Sequence, residues 1–175
     1  RKLRKSVCKP QFIEVHRLCQ FNPRANDVDV VLDLMIHDID IVLSIVNKKI
    51  ESIEVSGKKI LTNLTDIANV RIKFKDNIVA NLTASRISTK NERKMRIFSN
   101  NSYYSIDFIN NKLKKIHKDR RNSFKVTDFN FKKTDVLDDE INNFVNTCLG
   151  KEKSMTTGTS GLEALVVAKK ISKGF

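Results

Sequence analysis

The sequence predicts an α+β fold: an open, mainly antiparallel β-sheet with helices packed on one face. Three observations carry that expectation. A long apolar helix follows the first short strand, a succession of strand-like segments with turn formers between them comes next, and two amphipathic helices close the chain. An order of strand, helix, strands and helices, without regular βα alternation, is the pattern of helices segregated to one side of an antiparallel sheet.

Residues 12–17 alternate in polarity and are rich in β-formers, which predicts a short strand. Asn22-Pro23 marks a turn in the loop 20–26. Residues 27–47 then predict a long helix capped by Asn26 or Asp27. Strand-like segments follow at 50–60, 66–75, 78–86, 93–99, 102–109, 112–117 and 124–131. Val70, Ile72 and Phe74 alternate with Arg71, Lys73 and Lys75, so this part of the sheet is expected to be covered on one side only. Asp76-Asn77 is a tight-turn signal, and Asn100-Asn101 and Asn110-Asn111 are further turn candidates. Residues 137–149 predict a helix with Ile141, Phe144, Val145 and Cys148 on one face, with Cys148 in the core. A last helix is predicted over 160–173, opened by the capping-box spacing of Ser160 and Glu163.

At 175 residues and 40% apolar content the chain can bury a core of its own. No stretch approaches the ~20 apolar residues of a membrane span. Three cysteines, an odd number, argue against a disulfide scaffold and point to a reducing, cytoplasmic setting. Cys8, His16 and Cys19 match no zinc spacing. The net charge of +13 invites a nucleic-acid reading. Its densest cluster, Lys112, Lys114, Lys115, Lys118, Arg120 and Arg121, nonetheless lacks any recognisable binding module. His117, alone in that basic stretch, is expected to be solvated.

The informative segment is the acidic one, since residues 27–47 carry a net charge of −5. At about 100° per residue, Asp29, Asp33, His37, Asp40, Ser44 and Asn47 fall on one narrow stripe of an otherwise apolar helix. Asp38 is the polar residue off the stripe. Carboxylates and an imidazole on a mostly buried helix must face water, a ligand or partners. Asp33 and His37 stand at i and i+4, where the side chains can meet. A carboxylate that orients an imidazole is the arrangement of a general acid/base, and equally of a structural Asp–His pair.

Asp33, His37 and Asp40, within the run Val31 to Asp40, resemble the Asp-x-x-x-His-x-x-Asp signature of the Gfo/Idh/MocA oxidoreductases, relatives of glucose–fructose oxidoreductase and inositol 2-dehydrogenase. The strand Phe12 to Arg17 with Phe21-Asn22-Pro23 is similar to the opening of that family's C-terminal domain. Residues 66–74 with 78–86 resemble its central hairpin, and Thr157-Gly158 with Leu162 to Leu165 its terminal helix. The resemblance implies an NAD- or NADP-dependent hydride transfer on a sugar or nucleotide sugar held against the sheet. Carried over by position, His37 becomes the catalytic acid/base and Asp33 its partner, while Arg17 and Arg86 become substrate contacts. Asp40 also matches, with a structural role left open beside it.

The departures bound the expectation. No Gly-x-Gly-x-x-Gly occurs, and Lys9-Pro10 lacks the Glu of the family's Glu-Lys-Pro motif. The segment Thr156 to Gly161 could cradle a phosphate, but helix capping explains it better. Residues 1–11, which begin Arg1-Lys2-Leu3-Arg4-Lys5, are accordingly expected to be the remnant of a missing dinucleotide-binding domain, and 12–175 the substrate and catalytic domain. Neither NAD nor NADP is expected to bind this chain alone. A homodimer through the open sheet face and a separate Rossmann-domain chain are the macromolecular partners in view, with no membrane. A non-catalytic dimerisation module, a decayed fragment and a basic nucleic-acid binder remain as alternatives.

Overall fold

The computed structural model describes residues 9–23, 27–119, 122–132, 134–154 and 157–175. Eight strands form one sheet: β1 (Pro10–Leu18), β2 (Ile50–Lys58), β3 (Ile67–Phe74), β4 (Val79–Ser85), β5 (Glu92–Ser99), β6 (Ser102–Asp107), β7 (Lys112–Lys118) and β8 (Phe124–Asn130). Their order is β2-β3-β4-β1-β5-β6-β7-β8. Every pair is antiparallel except β1 with β4, which run parallel in the middle of the sheet. That parallel pair is what the helix between β1 and β2 makes possible, since only a crossover can return the chain in the same direction. The mainly antiparallel open sheet expected from the sequence is therefore present, with a single parallel seam at its centre.

Alternation sorts the two faces. Ile13, Val15 and Arg17 of β1, Ala68, Val70, Ile72 and Phe74 of β3, Ala80, Leu82 and Ala84 of β4, and Met95 and Ile97 of β5 are buried. Their neighbours Glu14, His16, Asn69, Arg71, Asn81, Thr83 and Arg96 point to the other, polar face. Hydrogen bonds from Asn69 to Thr83 and from Arg71 to Asn81 lie on that open face. So does an ion pair between Arg96 and Glu14 at 3.4 Å. Asp76 and Asn77 both take positive φ, as a two-residue hairpin turn demands, and Phe74 donates its N–H to the Ile78 carbonyl across it.

The first helix, α1 (Ile36–Val46), is preceded by a π-helical turn, Val31–Met35. It thus begins later than the 27–47 expected; Asn26 lies outside the described residues. The Asp29 carboxylate, not Asp27, accepts the N–H groups of Val31 and Leu32. Asn47 ends the helix in the left-handed region with φ 47°. Val30, Val31, Met35, Ile39, Val42 and Val46 join the core over the centre of the sheet. The last helix, α3 (Gly158–Ser172), lies beside α1 and buries Ala164, Ala168 and Ile171. Its capping box is built by Thr157 and Ser160, one turn earlier than Ser160 and Glu163 would place it. Sequence spacing found the right motif but the wrong member, because Thr157 is itself a good cap.

The middle helix, α2 (Val136–Cys148), departs furthest from expectation. Its apolar face is present, yet Leu137, Ile141, Phe144 and Val145 are exposed, Phe144 by 69%. Cys148 is likewise exposed rather than in the core. Among the described residues nothing is layered over that stripe. His117, expected to be solvated, is half-buried on β7, and its Nδ1 has no hydrogen-bond partner among the described residues. No described helix is long and apolar enough to cross a membrane.

Candidate active site

The ends of β1 and β4 run side by side, with Arg17 and Leu18 opposite Ala84 and Ser85. Beyond them stand Cys19 and Arg86, and the π-helical turn carries Asp33 into the same neighbourhood. Burial raises the Cys19 thiol pKa, the Asp33 charge raises it further, and Arg86 and Arg17 oppose that rise. The four groups therefore share one electrostatic environment. His37 is exposed one turn further on, and Asp33 is half-buried. Among the described residues no hydrogen bond or ion pair joins Asp33 to His37. The turn between them explains the spacing: i→i+5 bonding widens the helix, so side chains four apart are no longer stacked as on an ideal α-helix. Asp40 is half-buried, and Ser44 donates its hydroxyl hydrogen back to the Ile41 carbonyl at 2.7 Å.

Two buried ion pairs frame this cluster. Arg17 donates from Nε and Nη2 to the two oxygens of Asp38, at 2.6 and 2.7 Å. Asp38, the polar residue off the helix stripe, is 1% exposed and Arg17 8%. Arg86 is 2% exposed, and its three guanidinium nitrogens reach Asp66, the Val28 carbonyl and the Thr65 carbonyl. Asp66 also accepts from the backbone of Ile60, Leu61 and Thr62 and from the Thr62 hydroxyl. Burial by itself would push the Asp66 carboxyl up. The hydrogen bonds from Thr62 and from the backbone of Ile60, Thr62 and Leu61 outweigh it and hold the group well below the usual carboxylate range.

Arg17 and Arg86 are thus both buried and charge-paired. Sequence reasoning missed Asp38 and Asp66. A signal for both was present. Arg17 shares the parity of Ile13 and Val15, and Arg86 that of Leu82 and Ala84, so each arginine continues a buried row and requires a buried acid.

The residues do not fit a dinucleotide. A pyrophosphate is held by a Gly-rich strand-to-helix turn, and residues 19–30, between β1 and the helix, contain no glycine. Gly57 and Gly174 serve packing instead. A Cβ on Gly57 would lie 2.5 Å from the Phe175 ring, and one on Gly174 2.6 Å from Val55. Among the described residues no group of three or more His, Cys, Asp or Glu side chains could hold a metal ion; Cys8 lies outside them.

The candidate site thus joins an open mixed sheet, one crossover helix, an exposed His37 and a half-buried Asp33. The sequence model of the GFO/IDH/MocA C-terminal domain matches residues 14–104, and the chain belongs to that family. It is 32% identical over 167 residues to a UDP-N-acetylglucosamine 3-dehydrogenase of Acidithiobacillus ferrooxidans, covering 93% of this chain and 53% of that protein. The solved structure of that enzyme superposes with a TM-score of 0.90 at 32% identity, over 99% of this chain and 56% of the other. An NAD binding oxidoreductase from Klebsiella pneumoniae shares the fold, with a TM-score of 0.81 at 13% identity over 99% and 58% of the two chains. The chain spans about half the length of the relatives it matches.

Proposed function

We propose that residues 12–175 are the substrate-binding and catalytic domain of an NAD(P)-dependent oxidoreductase acting on a sugar or nucleotide sugar. The observation that carries this is an exposed His37 beside a half-buried Asp33, above arginines fixed by buried carboxylates. In this reading His37 accepts or returns the proton of the substrate hydroxyl as it becomes a carbonyl. Asp33 orients the imidazole, closing the gap to His37 when substrate is bound. Arg17 offers Nη1, which Asp38 does not engage, to the substrate. Arg86, with all three nitrogens engaged, contributes by holding the wall of the site. The nicotinamide cofactor belongs to a dinucleotide-binding domain that these residues do not form, with residues 1–11 its closing segment. The likeness to the UDP-N-acetylglucosamine dehydrogenase supports a nucleotide sugar as substrate.

Calorimetric titration of the chain with UDP-N-acetylglucosamine and with N-acetylglucosamine tests this. Saturable binding is expected, weakened about 10-fold or more by His37→Ala, as for loss of a hydrogen bond involving a charged group. Because His37 is exposed, the same variant should shift stability by no more than about 0.5 kcal/mol. Flat titrations with every sugar would refute the reading. Saturable NADH binding by this chain alone would refute the assignment of the cofactor to another domain.

The open sheet face is proposed to pair two copies. There Phe98 is exposed, and its ring stands 5.8 Å from that of Phe12 and 5.1 Å from that of Tyr103. A concentration-independent monomer mass in sedimentation would count against this pairing.

A further inference from the structure

Arg17 of β1 lies directly opposite Arg93 of β5 in the antiparallel register. Like charges placed opposite each other on neighbouring strands are destabilising. Arg17 is relieved by its two-point bond to Asp38. Arg93 has no comparable relief. Its guanidinium carbon lies 5.3 Å from the centroid of the Phe108 ring. Its Nε is shut off from solvent without a hydrogen-bond partner among the described residues. No ion pair reaches it among those residues either. Burial lowers its pKa first, the Arg17 charge lowers it further, and only Asp38 acts in the other direction. The nearby lysine on the same strand, Lys94, points to the opposite face, where it engages Glu92.

A half-buried guanidinium set against a second one, with its Nε unpaired, is held at a loss of stability. Such groups concentrate at binding sites. The carboxylate it senses, Asp38, directly follows His37 in the chain. Arg93 faces Arg17 across the two strands, and Arg17 holds Asp38, so Arg93 stands at the same end of the sheet as the candidate site. The planar fork of a guanidinium matches a phosphate in two-point geometry, which the ammonium of a lysine does not.

We propose that Arg93 is a further substrate-contacting residue, which receives the diphosphate of a nucleotide sugar. The assignment rests on the nucleotide-sugar reading above. Phe108, with its ring centroid 5.3 Å from the guanidinium carbon, supports the cation.

The test is thermal unfolding of the chain in chloride, in inorganic pyrophosphate and in UDP-N-acetylglucosamine at matched ionic strength, for wild type and Arg93→Met. Calorimetry with UDP-N-acetylglucosamine, UDP and N-acetylglucosamine accompanies it. Both phosphate-bearing ligands are expected to raise the wild-type midpoint; pyrophosphate should leave that of the variant unmoved, and UDP-N-acetylglucosamine should raise it less. In chloride the variant should unfold at the same temperature or higher, because an uncompensated cation is gone; a mere prop for Phe108 would give a less stable variant that still responds. UDP-N-acetylglucosamine should bind the variant at least about 10-fold more weakly, with N-acetylglucosamine unchanged. Equal affinity of both proteins for UDP-N-acetylglucosamine overturns the role of Arg93 while leaving the sugar-binding reading intact. A wild type indifferent to both phosphate-bearing ligands also overturns it. An Arg93-dependent response in which UDP-N-acetylglucosamine binds no more tightly than UDP, and N-acetylglucosamine not at all, keeps the anion site and removes the sugar.

Discussion

Asp38→Asn is the most informative single change to the framework. The amide keeps the shape of the carboxylate and removes its charge. Arg17, 8% exposed and bonded at 2.6 and 2.7 Å, is left as a buried cation with a neutral neighbour. Arg93 at the same time loses a carboxylate that opposed its two unfavourable influences. Breaking a buried pair by removing one partner costs about 3–5 kcal/mol, most of it the penalty of the charge left behind. For a domain of this size that corresponds to a fall in Tm of roughly 6–20 °C, at about 2–4 °C per kcal/mol. Urea denaturation followed by circular dichroism, with the thermal midpoint alongside, reads both quantities. Arg17→Met with Asp38→Leu removes the pair together and should recover much of the loss, since an apolar pair of similar volume is often neutral. Arg93 should not limit the recovery, because the opposing Arg17 charge is removed together with Asp38. A single variant within about 1 kcal/mol of wild type, or a double variant no better than the single, would show that the pair does not organise the site.

The Asp66 carboxyl, held below its ordinary value, contributes stability that is complete above the unfolded-state pKa of about 3.9 and is lost as pH falls from there through the folded value. Denaturation midpoints measured from neutral to strongly acidic pH should therefore show the gap between wild type and Asp66→Asn closing on acidification; a constant gap would contradict the origin assigned to the shift. Asp29→Ala removes the acceptor for the Val31 and Leu32 N–H groups and should cost about 1 kcal/mol in urea. Phe144→Ser on the exposed side of α2 should alter the stability of this chain by less than about 0.5 kcal/mol, where a core phenylalanine would cost several.

The strands were legible because their alternation is enforced locally: a sheet covered on one side must read polar-apolar along every strand. The helix carrying Asp33 and His37 was legible for the same reason, as was the family signature on it. The partners of the two arginines were not. Asp38 is 21 residues from Arg17, and Asp66 is 20 from Arg86, separations that only the assembled sheet closes. The apolar stripe on α2 is legible in the sequence and its exposure is not, because periodicity reports which side of a helix is apolar, not whether a neighbour covers it. The missing Asp33–His37 bond has a further cause: the π-helical turn departs from the 3.6-residue repeat that sets i beside i+4.

That turn is where two anchors in the fold are reconciled. Ahead of it the chain is pinned to the β2–β3 loop by Val30 N–H on the Thr65 carbonyl, and to the end of β4 by Arg86 on the Val28 carbonyl. Behind it Asp38, Ile39, Val42 and Val46 hold α1 onto the sheet. Both anchors fix the rotation of the chain about the helix axis, and the π-helical turn takes up the residue by which an α-helix would miss. Residues 31–35 thus act as a phase adjuster. Shortening them by one residue would let an ordinary α-helix join the two anchors. Asp33 would then be re-aimed relative to His37 with neither residue substituted.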